Sequence, residues 1–217
     1  MTSLLDRPAA AAAPAQSPPP DNRVPKLLAV FGIAIPTTIL VVLLLGIVRG
    51  VVTIDSTFPF LNIDFRWPQL LVASTPTGGD MGAHVLLPQI LRDELLPSGR
   101  ILGWSNDWYA GFPVLYFYFP LPALATVLFD IVLPYGVAFK IITTLGLVTF
   151  PAAVYFFVRS LGFDRPVSAI ATLTGSMFVF MESFSIYGAN VKSTFAGEFS
   201  FSWSFTLSLV YLGIVIR

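Results

Sequence analysis

The chain has no cysteine, a single histidine and little charge. The missing cysteines exclude a disulfide scaffold, thiol catalysis and Cys-ligated zinc. The lone imidazole, His84, leaves a Ser–His–Asp arrangement only one place to form, and no serine context there supports one. Lys+Arg and Asp+Glu both number 12, so no basic excess exists for a nucleic-acid partner. Charged residues make up 11% of the 217, less than half of the roughly one quarter usual in soluble domains. Also missing are a Gly-x-x-x-x-Gly-Lys-Ser/Thr phosphate loop, a Gly-x-Ser-x-Gly elbow and a His-Glu-x-x-His zinc helix. What is abundant is apolar: 55% of residues are hydrophobic and mean hydropathy is +0.79. The composition predicts an all-α, polytopic transmembrane helix bundle.

Residues 1–26, with Ala9–Ala13 followed by Pro14, Pro18, Pro19 and Pro20, have too little apolar surface to fold alone. They read as a disordered cytoplasmic tail. Leu27–Val48 carries no charge and at ~1.5 Å per residue reaches ~33 Å, enough to cross ~30 Å of hydrocarbon. Three later apolar runs, 141–158, 167–181 and 199–216, are further expected spans. Pro120–Pro134 is apolar apart from Asp130, but short and bracketed by prolines, which fits an interfacial helix.

Positive charges arbitrate the topology. If 120–134 stays at the interface, then Arg7, Arg23, Lys26, Arg159, Arg165 and Arg217 all fall on the cytoplasmic side, as the positive-inside rule asks. If it crosses, Arg159 and Arg165 move outside and Lys192 moves in. The four-span arrangement is therefore expected, with both termini cytoplasmic. Residues 50–138 then form a long external loop carrying membrane-parallel helices, and 182–198 a second loop on the same face.

Candidate chemistry lies in these two loops. Thr75-Pro-Thr-Gly-Gly-Asp80 reads as a turn opening a helix whose apolar face runs through Val85, Leu86, Leu87, Ile90, Leu91 and Leu95. Asp80 and His84 are four apart, on one face of its first turn. The pair could hold a divalent metal, or work as base and orienting partner, and Asp80 is equally a favoured helix N-cap. Next come Arg92 and Arg100, then Trp104, Asn106, Asp107, Trp108 and Tyr109 in a Gly/Pro-punctuated loop. Rings beside carboxamide and carboxylate suit a sugar, and such rings also mark membrane interfaces. Glu182, Lys192 and Glu198 belong to the second loop. Acidic groups at span ends are functional candidates when they face a cavity.

Taken in order, Gly79-Asp80-Met-Gly-Ala-His84, Leu96-Pro97 with Trp104 and Trp108-Tyr-Ala-Gly-Phe-Pro113, Tyr116-Phe-Tyr-Phe-Pro-Leu-Pro122, and Gly188 with Glu198-Phe199 resemble the amino-terminal part of the GT-C superfamily of polytopic glycosyltransferases. More narrowly, they resemble bacterial membrane proteins of the 6-pyruvoyl-tetrahydropterin synthase-related type. The resemblance covers about residues 27–217. It implies a membrane enzyme moving a sugar from a polyprenyl-phosphate carrier to an extracytoplasmic acceptor. Asp80 would be its catalytic carboxylate and His84 a close partner, with Glu198 or Glu182 a second acid. A divalent metal, Arg92, Arg100 or Lys140 would offset the leaving phosphate. Such enzymes carry more spans, so a missing carboxy-terminal part or a partner membrane protein is expected. The alternative is a non-catalytic module that binds a lipid-linked glycan or a partner subunit in cell-envelope assembly or transport.

Overall fold

The computed structural model describes residues 23–48, 71–181, 183 and 188–217. Most of the expected tail and Glu182 lie outside them.

Helix α1 runs Arg23–Val48, so it starts four residues before the expected span. It packs on α4 and α5, and Gly32 permits the approach: a Cβ there would fall 2.4 Å from the Cβ of Ala169. Close contact at small residues is how helices pair where lipid removes any hydrophobic drive.

Of the loop expected over 50–138, the described part starts at residue 71, and residues 71–80 lie over the first turns of α4. A Cβ on Gly136 would meet the carbonyl oxygen of Ala73 at 2.4 Å. Helix α2, Met81–Ile90, buries Met81, His84, Leu87 and Ile90. Pro88 lacks the N–H that would bond the His84 carbonyl. Beyond it the helix widens into a π turn, Leu91–Leu95, and tightens into a 3-10 turn, Leu96–Ser98, that Gly99 closes with φ 72°.

The described residues are mostly helical, as the all-α reading expects, and depart from it in one small hairpin. Two short strands, β1 Gly103–Ser105 and β2 Phe112–Val114, pair antiparallel with Trp104 opposite Pro113. Their connection turns through three successive left-handed residues, Tyr109, Ala110 and Gly111. Three-residue strands are too short for alternation to register in a sequence. The hairpin closes a core of Leu87, Ile90, Leu91, Leu95, Val114, Leu115 and Ala123.

Helix α3, Pro120–Asp130, carries Pro in its first turn and buries Pro122, Ala123 and Thr126. Leu121, Leu128 and Phe129 of α3, with Ile131 and Val132 just after it, are exposed. It ends earlier than the expected 134, where Asp130 pairs with Arg92 at 2.5 Å and the chain turns into α4.

Helix α4, Tyr135–Ser160, starts six residues ahead of the expected boundary. Lys140 marked that boundary in the sequence, yet its stem is buried inside α4 and its Nζ donates to Val72 O at 2.7 Å. A tight turn leads to α5, Arg165–Val179, capped where Asp164 Oδ1 accepts from Val167 N–H at 3.0 Å. The one-turn α6, Val191–Ser193, is capped by Asn190 and continues through Thr194–Glu198. The helical path breaks at Gly197, φ 127°, before α7, Phe199–Ile216.

Helices α4 and α7 run side by side in the same direction. Phe139 meets Phe199, Phe150 stacks on Phe205, and Phe156 meets Gly213. Trp203 Nε1 donates to Ile142 O at 2.8 Å and Thr206 Oγ1 to Gly146 O at 2.9 Å. Interhelical bonds of this kind contribute roughly 0.6–2 kcal/mol each in a membrane. The stretches Tyr135–Ser160 and Val191–Ile216 are each long and apolar enough to cross a bilayer. The expected spans 27–48 and 167–181 coincide with α1 and α5. With 15 residues α5 reaches ~22 Å, less than a hydrocarbon core.

Candidate functional site

The two segments expected to be loops, 71–80 and 188–198 among the described residues, meet at the shared N-terminal end of α4 and α7. Gly79 and Asp80 lie directly against the break in the second segment. Asp80 N–H donates to Ala196 O at 2.8 Å. A Cβ on Gly79 would fall 2.2 Å from that same oxygen. From the other side, a Cβ on Gly197 would sit 3.0 Å from Asp80 Cβ and 3.3 Å from His84 Cδ2. Backbone thus touches backbone where Asp80, His84 and the start of α7 converge.

Asp80 occupies the N-cap position of α2, but its side chain makes no capping hydrogen bond. Its carbonyl accepts from Ala83 and His84 N–H, while its exposed carboxylate is left to other work. His84 is 8% exposed. Its ring stands edge-on between Tyr118, 5.3 Å away, and Phe199, 5.1 Å away. Burial pushes its pKa below the ordinary 6.5, and the negative charge of Asp80 partly opposes that shift. The imidazole is therefore neutral at pH 7, able to donate from one nitrogen and accept at the other. It lines a cleft with Tyr118, Phe199, Ser200 and Thr126, whose free space of about 20 Å³ holds about one water or one hydroxyl group.

Glu198 follows Gly197 at the start of α7, exposed, where the helix dipole favours an acid. The structure therefore brings Asp80, His84 and the Gly197–Glu198 turn together. Among the described residues no three His, Asp or Glu side chains gather as a metal site requires. Asp80 and His84 supply two donors, too few to cage a hard cation without substrate oxygens or water.

Trp104, Asn106, Asp107, Trp108 and Tyr109 form the hairpin, which packs at the far end of α2, where Gly103 touches Leu95. Leu95 is three turns past His84, roughly 16 Å along the axis. Leu115 and Tyr118, from the aromatic run that leads into α3, line the His84 cleft. Leu115 holds a left-handed φ of 62° there, a strained conformation for a bulky residue. No spacing rule links Tyr118 or Ser200 to His84; only the fold does.

The expected cations are largely committed. Arg92 bonds Asp93 at 2.6 Å and Asp130 at 2.5 Å, and stands 5.6 Å from the Tyr135 ring centroid. Its pKa is raised, first through the Asp93 bond and then through Asp130. Two carboxylates thus neutralise the cation assigned to a leaving phosphate, and Lys140 holds Val72. Arg100 Nε donates to Ser98 Oγ at 2.9 Å. Lys192 is half-buried on α6. No protein-family profile, curated protein or solved structure matches the chain.

Proposed function

We propose that the chain is the amino-terminal part of a GT-C-like glycosyltransferase of the bacterial inner membrane. In this reading it transfers a sugar from a polyprenyl-phosphate carrier to an extracytoplasmic hydroxyl acceptor. The observation that carries the reading is the meeting of Asp80, His84 and the Gly197–Glu198 turn at one end of two membrane-length helices. The residues of the GT-C resemblance support it, and so does an Asp80 carboxylate unused by the cap it could have formed. With α1 and α5 as the remaining spans, this end faces outward and the Arg159–Arg165 turn faces the cytoplasm.

The chemistry needs few parts. Asp80 takes the proton of the acceptor hydroxyl as its oxygen forms a bond to the anomeric carbon of the donor. The bond from that carbon to the phosphate oxygen breaks, and the electron pair leaves with the prenyl phosphate. Neutral His84, fixed between Tyr118 and Phe199, orients the acceptor by one hydrogen bond in a cleft that admits one hydroxyl. No step runs through a metal. A second reading, a non-catalytic module that receives a partner helix, draws on the apolar groove of about 510 Å³ between α1 and α5, lined by Phe31, Ile35, Ile170 and Leu173.

One pair of variants separates these readings. Since Asp80 makes no capping bond, Asp80→Asn and Asp80→Ala should both keep normal protein levels and melting behaviour. As catalytic lesions, both should abolish complementation of a deletion strain by the intact gene, because loss of a general base costs about 10²–10⁴ in rate. Full complementation by Asp80→Asn at wild-type level defeats the transferase assignment and leaves the module.

A further inference from the structure

The protein exposes aromatic rings in two places, and the two differ in kind. Along 116–132 the exposed rings and aliphatics, among them Phe117, Phe119, Leu128 and Val132, form a surface whose one charged residue, Asp130, is tied to Arg92. That is the chemistry of a bilayer face. At the hairpin the rings are interleaved with exposed Asn106 and Asp107. A carboxylate at the tip opposes insertion into hydrocarbon.

The hairpin rings are also held in place. Trp104 is 58% exposed, and its Nε1 donates to Asn106 Oδ1 at 3.1 Å. Its other support is Gly111, where a Cβ would lie 2.3 Å from Trp104 Cζ2, so only glycine lets the indole lie against this backbone. Tyr109 is 84% exposed and stacks on Trp108 at 5.7 Å with an 18° interplanar angle. Tyr109 and Ala110 keep left-handed backbones, which side-chain-bearing residues rarely adopt, where the ring pair forms. Fixed indole and phenol surfaces have a negative face suited to the weakly positive C–H groups of a pyranose ring. The Asn106 amide and the Asp107 carboxylate beside them supply a donor and an acceptor for its hydroxyls.

We infer that the Trp104–Tyr109 hairpin is a carbohydrate-binding platform, separate from the Asp80–His84 cleft, that holds a neutral glycan chain. The inference shares the outward orientation of the proposed transferase and does not depend on its transfer chemistry. It is tested on the full chain in nanodiscs by saturation-transfer NMR titration with cellohexaose, maltohexaose and chitohexaose. At least one hexasaccharide should bind saturably. Trp104→Ala and Tyr109→Ala should each weaken that binding about tenfold or more, as loss of an aromatic anchor does. Trp104→Phe, which keeps a ring and guards against a folding artefact, should retain most of it. Phe117→Ala and Asp80→Asn should leave it unchanged, so a failed transferase assignment would not remove the signal. Absence of saturable binding to all three sugars overturns the platform, as does binding that survives Trp104→Ala. Quenching of the Trp104 emission by brominated acyl chains, absent in Trp104→Phe, would place the tip in the bilayer and overturn it too.

Discussion

The two ends of α2 are fastened to the protein by different means. At the Asp80 end the contact runs through glycine backbone, Gly79 against the Ala196 carbonyl and Gly197 against the side chains of Asp80 and His84. At the Leu95 end it is a cluster of side chains, Leu87, Ile90, Leu91, Leu95, Val114 and Leu115, backed by the Arg92–Asp130 ion pair. Side-chain clusters relax when one member is truncated. A carbonyl oxygen in a turn has nowhere to go. The end that carries the proposed chemistry is thus specified by the absence of side chains at two positions, and the other end by redundancy.

The sharpest way to break this contrast is a single methyl group at the first end. Gly79→Ala places a Cβ 2.2 Å from Ala196 O and must displace the turn before α2 from the turn before α7. Gly197→Ala adds strain at φ 127° and presses on Asp80 and His84. Each should cost ~3 kcal/mol or more, combining backbone strain with overpacking. Gly99→Ala is the control. It too has positive φ, 72°, but nothing lies within 4 Å, so about 1 kcal/mol is expected. Thermal unfolding in detergent measures all three, and equal losses at Gly79 and Gly99 would refute the close approach.

At the other end, Leu91→Ala empties part of a fully buried site and should cost ~2–3 kcal/mol, with the neighbours closing in to limit the cavity. The His84 environment should not change, which histidine side-chain NMR can follow without ambiguity because the chain has one histidine. Movement of that resonance in Leu91→Ala would show that the two ends are coupled, against the contrast drawn above.

Much of this architecture was legible in the residues. The periodicity from Val85 to Leu95 gave α2, and the charge-free runs gave α1, α5, α7 and most of α4. Asp80 and His84 could be singled out because their spacing is local. The meeting of Gly79 with Ala196 and of Asp80 with Gly197 could not, since it joins turns more than a hundred residues apart and leaves no periodic trace. The hairpin was missed for a related reason. Its strands are three residues long, and its turn uses left-handed Tyr109 and Ala110 where a sequence signal would require Gly or Asn. Lys140 misled because charge was read as the end of a span, whereas its long stem carries the ammonium to Val72 O. Asn190 was read as a loop residue and is instead a buried cap, accepting from Ser193 N–H at 2.7 Å and donating to Met181 O at 3.0 Å.

The glycine-fastened end also holds a group whose burial makes stability depend on pH. His84 is the buried titrating group of the glycine-fastened end, with Asp80 on its own helix, Tyr118 before α3 and Glu198 at the start of α7 as its titratable neighbours. Burial lowers its folded pKa below the 6.5 of the unfolded chain, and Asp80 opposes the shift without cancelling it. Above pH 6.5 both states hold a neutral imidazole, and the group adds no pH dependence. As pH falls through 6.5 the unfolded state takes up the proton first, so stability drops until the folded imidazole also protonates. His84→Phe keeps a ring between Tyr118 and Phe199 and removes the proton site. The wild type should therefore lose more stability than His84→Phe between pH 7 and pH 5, while acidic residues that do not interact with His84, common to both proteins, cancel in the difference. Unfolding midpoints measured across that range give the answer. Parallel curves would mean that the imidazole is solvated in the folded protein, and the cleft that orients the acceptor hydroxyl would then be too wet to fix it.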